Sequence, residues 1–204
     1  MQKEKMHIDQ QLLEDCFRGN ERAQYELYEK CYGILLSVCK RFAKDGDEEG
    51  VLLNTGFLKI LNGLESYKSN VPFEAWIRRI MINTIIDDHR KNKKYKETIE
   101  YRETIVEPKS GGMEYNQADL QFDAEQLLQF VRSLPPMSAK VFNLFAIDGY
   151  THKEISGMLG ISEGTSKWHL NNARSKLKDM IENEMNVGAH LKTVTAGKSR
   201  FLDK

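Results

Sequence analysis

Apolar residues recur along this chain at intervals of three and four rather than two, almost from end to end. That is the period of helices and not of strands. From Ala23 the series Leu27, Cys31, Ile34, Leu35, Val38 and Phe42 forms one stripe on a long helix, with Asn20 as its N-cap. Gly46 and Asp47 break the pattern, and a second helix over residues 48–64 carries Leu52, Leu53, Phe57, Ile60 and Leu61. The loop from Ser66 to Pro72 ends in a proline suited to a first helical turn. A third helix, from Phe73 to Asn92, is apolar on most of its circumference (Phe73, Trp76, Ile77, Ile80, Met81, Ile82, Ile85, Ile86) and is expected at the centre of a core. One polar stripe remains on it: Arg79, Asn83, Asp87 and Arg90, spaced by four, four and three, share a single face.

From Glu97 to Gln121 the period fails, and the stretch holds Pro108 and the pair Gly111-Gly112, which reads as a linker. Helical rhythm resumes with Phe122, Leu127, Leu128, Phe130 and Val131 up to Leu134-Pro135-Pro136. It continues through Val141, Phe142, Leu144, Phe145 and Ile147 to Asp148-Gly149. From Met185 the chain is polar and aperiodic, so a loose tail is expected. There is no internal repeat. The pattern predicts an all-α fold of two small helical domains joined by a flexible linker. The expected boundaries are 8–95 and 122–184 for the domains, 96–121 for the linker and 185–204 for the tail.

Composition changes this picture only locally. The 204 residues carry 30 basic and 30 acidic side chains, a formal net charge of zero. That balance would usually argue against a nucleic-acid partner, but it hides an asymmetry. Arg90, Lys91, Lys93, Lys94 and Lys96 follow one another with no acid between them, and then Glu97, Glu100, Glu103 and Glu107 reverse the sign. A local patch, not the whole-chain sum, sets the local field. Cys16, Cys31 and Cys39 form no metal spacing and suit a reducing compartment. No secretory apolar segment opens the chain, and no apolar run approaches the ~20 residues needed to span a bilayer. The expectation is a cytoplasmic protein without membrane insertion.

The sharpest local signal lies between Tyr150 and Leu170. Thr151 and Glu154 form a capping box, Ile155 and Leu159 face a core, and Gly160 suits a tight left-handed turn. Ile161 plugs the core after that turn, and Ser162 caps a second helix. The second helix presents Glu163, Thr165, Ser166, Lys167 and His169 at its N-terminal end, the part of a helix-turn-helix that enters a major groove. Arg174, Lys176 and Lys178 follow, suited to phosphates. An ordinary helical hairpin carries the same helix–glycine–helix pattern. A polar, basic second helix after an apolar first one favours DNA. Ser166 is the imperfect position, because many such motifs place an apolar residue there.

A second constellation surrounds the polar stripe of the third helix. Arg79, Asn83, Asp87 and Arg90 lie beside Phe73, Trp76 and the Tyr67 loop, and run into Lys91, Lys93 and Lys94. Basic side chains hold phosphates and aromatic faces hold unstacked bases, a combination suited to opened, single-stranded DNA. On residue types alone, Phe73 and Trp76 read equally well as core, and the lysines as a solvated helix end favoured by the macrodipole.

Taken in order, the two halves resemble one family, the extracytoplasmic-function (ECF) sigma factors. Phe73-Glu-Ala-Trp76-Ile-Arg-Arg-Ile80 with Asn83, Asp87, Arg90 and Lys91 resembles sigma region two. Leu134-Pro-Pro136, Gly149-Tyr-Thr-His-Lys-Glu-Ile155, Leu159-Gly-Ile-Ser-Glu-Gly-Thr-Ser-Lys167, Ala173-Arg174 and Leu177 resemble region four. The resemblance implies a protein that brings promoter DNA to core RNA polymerase and does no chemistry itself. Region two would hold the beta-prime coiled coil through Leu52, Leu53, Asn54, Phe57 and Leu58. It would open the minus-ten element with a base pocketed by the loop of Tyr67, Lys68 and Asn70 and the strand tracked by the third helix. Region four would read the minus-thirty-five element. The family commonly places acids and a Gln-acid pair where this chain has Gly50, Val51, Asn54 and Thr55. Proteins of this type are often held by an anti-sigma factor, so such a partner is expected.

Enzyme readings find little support. His7, His89, His152, His169 and His190 are scattered without ligand spacing, and no cofactor is expected. The run from Lys192 to Ser199 mimics the end of a phosphate-binding loop but lacks its first glycine. The rival readings are a stand-alone helix-turn-helix regulator that works without polymerase, motivated by the changed positions 50–55, and a protein–protein adaptor.

Overall fold

The computed structural model describes residues 8–43, 45–97 and 124–199, the side chains of 92–97 and 185–199 excepted. Every regular element among them is helical, and the chain divides into two compact units, Met1–Thr104 and Ile105–Lys204. Residues 98–121 of the expected linker lie outside the described residues, as do His7, Phe122 and residues 200–204.

In the first unit, helices α2 (Glu21–Phe42), α3 (Gly46–Gly63) and α4 (Phe73–Glu97) pack on one another, and α1 (Gln10–Phe17) packs on α2 and α3. Asn20 caps α2 as expected, its Oδ1 accepting from the N–H groups of Arg22 and Ala23 at 3.0 and 3.2 Å. Helix α3 starts earlier than the apolar pattern suggests. Asp45 accepts from the Glu48 N–H at 2.9 Å, so Gly46 and Asp47 form the first turn instead of breaking the chain. The acids there suit the positive end of the helix dipole. Pro72 sits just before α4, with its carbonyl accepting from the Trp76 N–H at 3.1 Å. Helix α1 has no counterpart in the predicted elements, because only Leu12 and Cys16 of its eight residues are buried.

The core joins Leu27, Cys31, Leu35, Val38 and Cys39 of α2 to Leu52, Leu53, Phe57 and Ile60 of α3 and to Phe73, Ile77, Met81, Ile82, Ile85 and Ile86 of α4. Each such side chain contributes roughly 1.5–3 kcal/mol by leaving water. Gly56 lets α3 approach α4: a Cβ there would collide with the Met81 sulfur. The three cysteines are buried and free, and burial pushes the Cys31 and Cys39 thiols up to about 12. They are therefore protonated packing groups, not nucleophiles.

The second unit holds α5 (Ala124–Arg132), α6 (Pro136–Phe142), a π turn (Asn143–Ile147), α7 (His152–Leu159) and α8 (Glu163–Ser199). The single helix expected through Ile147 is α6 plus the π turn, closed by Asp148 N–H to Asn143 O at 3.0 Å. Val131, Leu134, Val141, Leu144, Ile155, Leu159, Leu170 and Ala173 form the core. The loose tail expected from Met185 is corrected, because the α8 backbone is helical to Ser199, with the Lys192–Ser199 run inside it. No proline follows Pro136, and extending a formed helix adds a hydrogen bond per residue without a new nucleus.

Candidate functional site

The helix-turn-helix forms as its letters require. Thr151 Oγ1 accepts from the Glu154 N–H at 3.3 Å while the Glu154 carboxylate accepts from the Thr151 N–H at 2.8 Å. Gly160 closes α7 with φ of +66°, a conformation an L side chain resists. Ser162 Oγ accepts from the Thr165 N–H at 3.0 Å and starts α8. Glu163, Thr165 and Lys167 are exposed at the N-terminal end of α8, and Lys176 and Lys178 lower down. Lys178 pairs with Glu182 at 3.6 Å. Arg174 is half-buried, its guanidinium 5.9 Å from the centre of the Phe145 ring.

Two residues assigned to the DNA face are corrected. Ser166 is 0% exposed, and its Oγ lies 2.9 Å from His152 Nδ1 between α7 and α8. His169 is half-buried and faces α6, with Nδ1 3.0 Å from Ser138 Oγ. Ser138 also accepts from Asn172 Nδ2 at 3.0 Å. Both residues lie on the helix face that carries Leu170 and Ala173 inward, Ser166 buried fully and His169 in part. Burial is the leading cause that lowers the pKa of both histidines, so neutral imidazole is favoured at neutral pH.

On α4 the polar stripe stands clear of the core. Arg79, Asn83, Asp87, Arg90 and Lys91 are all exposed, whereas Lys93 and Lys94 fall where side chains are not described. Asp87 would repel phosphates, but Lys59 of α3 pairs with it at 3.2 Å. Lys59 has no signal in local spacing, because the pair forms only when α3 packs on α4. At one end of the stripe Tyr67, Phe73 and Trp76 make an aromatic cluster, with ring centres 5.1–5.5 Å apart. Tyr67 also braces its loop from within, donating to the Val71 carbonyl at 2.8 Å. Phe73 is core, as one of the two readings had it. Trp76 and Tyr67 are half-buried, and Lys68 and Asn70 are exposed beside them.

The expected polymerase-binding set is split by the structure. Leu52, Leu53 and Phe57 are buried in the core, so they are corrected from contact residues to packing residues. Asn54 and Leu58 are exposed, together with Val51 and Thr55, two of the positions at which this chain departs from the family's acids. Val51, Thr55 and Leu58 are spaced as one ridge, with Val51 66% and Leu58 59% exposed. Among the described residues no group of His, Cys, Asp and Glu could hold a metal ion, and no helix is long and apolar enough to cross a membrane.

Comparison with known proteins matches both units. The family Sigma-70 region 2 matches residues 27–95, and Sigma-70, region 4 matches residues 124–177. RNA polymerase sigma factor SigZ of Bacillus subtilis (strain 168) is 30% identical over 134 residues, covering 64% of this chain and 71% of SigZ. The ECF RNA polymerase sigma-E factor of Escherichia coli (strain K12) is 24% identical over 185 residues, 85% of this chain and 94% of that protein. The chain belongs to the ECF sigma factors. Similar solved structures include CnrH in complex with the cytosolic domain of CnrY, with TM-score 0.45 and 20% identity over 86% of this chain and 97% of that one. Another is the sigma factor RpoE in complex with the anti-sigma factor NepR from Bartonella quintana, with TM-score 0.46 and 16% identity over 77% and 97%. In this sigma factor, region two is built on α2–α4 and region four on α5–α8. Helix α1 and the part of α8 beyond Leu177 lie outside both matches.

Proposed function

We propose that this sigma factor divides promoter recognition among three exposed surfaces. Glu163, Thr165 and Lys167 at the start of α8 read the minus-thirty-five element in the major groove, with Arg174, Lys176 and Lys178 on phosphates. The α4 stripe, with Trp76, Lys68 and Asn70, takes the opened minus-ten strand. The α3 ridge of Val51, Asn54, Thr55 and Leu58 holds the beta-prime coiled coil of core polymerase. Lys93 and Lys94 belong to the second surface by sequence position, and an anti-sigma partner remains part of the proposal by family habit. The chain has no chemistry of its own in this reading, because bond formation belongs to the polymerase.

The observation that carries the proposal is the exposed polar stripe of α4, on the helix whose first turn carries Trp76 against the loop residue Tyr67, in the same chain as a capped helix-turn-helix. A regulator that only bound duplex DNA would need the second feature and not the first. Run-off transcription with purified core polymerase on a promoter library tests it. Initiation from a shared two-element sequence is expected. Tight, site-specific binding by the free protein with no transcription would instead identify a stand-alone regulator.

A further inference from the structure

The contact between α7 and the start of α8 is polar where an apolar plug would serve. Ser166 is fully buried, and its hydroxyl meets His152 Nδ1 at 2.9 Å. His152 opens α7, and its ring stacks on Phe145 with centres 4.5 Å apart and planes 21° apart. Phe145 lies in the π turn, an irregular closure of the kind that re-aims side chains at functional sites. The Arg174 guanidinium lies 5.9 Å from the centre of the same ring. A run of contacts, Arg174 to Phe145 to His152 to Ser166, thus ties the π turn, α7 and α8 together.

The physical consequence concerns rotation. A hydrogen bond weakens steeply outside a narrow range of distance and angle, so a buried pair between two helices holds their relative rotation more narrowly than shape alone. Thr165 and Lys167 flank Ser166 and are both exposed, so turning α8 about Ser166 would move the side chains that face DNA. We propose that His152 is a positioning residue for promoter reading. Through Ser166 it fixes the rotation of α8, and so where Thr165 and Lys167 meet the upstream element. This rests on the reading of α8 as the helix that reads duplex DNA.

The test uses holoenzyme assembled with the full chain carrying His152→Phe, His152→Asn, Ser166→Ala or Lys167→Ala. His152→Phe keeps a ring on Phe145 but removes the nitrogen, and His152→Asn keeps a polar atom near the Nδ1 position but removes the ring. The readout is the preference for a promoter with an intact upstream element over one with that element scrambled, beside the thermal midpoint of each chain. His152→Phe and Ser166→Ala are each expected to lower the preference on the order of tenfold, the scale of one base contact. The double variant should be no worse than either single one, and His152→Asn should retain more preference than His152→Phe. A lower midpoint with unchanged preference would make His152 a structural residue only and overturn the proposal. So would losses that multiply in the double variant. If Lys167→Ala also leaves the preference intact, the reading of α8 itself fails. If Lys167→Ala loses it while His152→Phe keeps it, only the positioning role fails.

Discussion

Ser138 and Ser166 are fully buried hydroxyls, and each is met by a histidine ring nitrogen, His169 on α8 and His152 on α7. A buried hydroxyl left without a partner costs about 1–3 kcal/mol, so His152 stabilises the contact it completes, whereas Ser138 has Asn172 as a second partner beside His169. Both imidazoles have pKa values below the ordinary 6.5. Burial is the first cause for both. For His152, Lys167 lowers it further, Glu163 opposes and Arg174 adds a smaller push down. Above 6.5 the folded and unfolded chains are alike in holding these rings neutral. As pH falls through 6.5 the unfolded chain takes up protons that the folded unit refuses, so stability falls until the folded-state values are reached. The second unit should therefore lose thermal stability between pH 7.5 and 5.5. NMR titration of the histidine ring protons in the full chain should show the His152 and His169 resonances with midpoints below 6.5. If neither the His152 nor the His169 ring titrated below 6.5, the burial argument would be wrong.

Helices are the scale at which the sequence is most legible, and α3 shows where legibility stops. Periodicity located α2, α4 and the pair α7–α8, because caps such as Asn20 and Thr151 and the turn at Gly160 act over three or four residues. It missed α1, whose two buried side chains give too short a stripe, and the π turn, which follows α6 directly and packs on α7. The polar stripe of α4 stood out because its neighbours are apolar. On α3 both the core face and the solvent face carry apolar residues, and only packing against α2 and α4 tells them apart. The family resemblance therefore places the core residues Leu52, Leu53 and Phe57 among the contacts and leaves the exposed Val51 and Thr55 outside them. Val51 and Leu58 are exposed on either side of Thr55 along that solvent face, and the proposal assigns this ridge to the polymerase. Leu58→Glu should accordingly leave the thermal midpoint near wild type and lower holoenzyme yield in gel filtration by tenfold or more, the scale of a lost hot spot. Leu53→Ala should instead cost about 2–5 kcal/mol of fold stability. Full holoenzyme yield with Leu58→Glu would move the polymerase contact to another surface.

At the scale of the whole molecule the net charge is zero, so no general attraction draws the chain to DNA. What attraction exists is local to α4 and α8, in separate units. Such a protein gains little from binding duplex at random, and its specificity depends on using several weak surfaces at once. The α4 stripe should then matter for opening the duplex and not for assembly. Replacing Asn83 and Arg90 together with alanine should leave holoenzyme intact by gel filtration, because both are exposed and lie off the α3 ridge. It should lower open-complex formation on duplex promoters, seen as weaker permanganate reactivity of unpaired thymines. Templates already mismatched at the minus-ten element should be partly rescued, because pre-opening removes the few kcal/mol of unstacking that these contacts are proposed to offset. The Lys59–Asp87 pair sharpens the expectation. Lys59→Ala leaves the Asp87 carboxylate unneutralised on the same face, so it should weaken opening in the same direction and more strongly at low salt, where screening is least. Wild-type opening by the Asn83/Arg90 variant on duplex templates would make the stripe an ordinary solvated face and place strand capture on the loop of Lys68 and Asn70 alone.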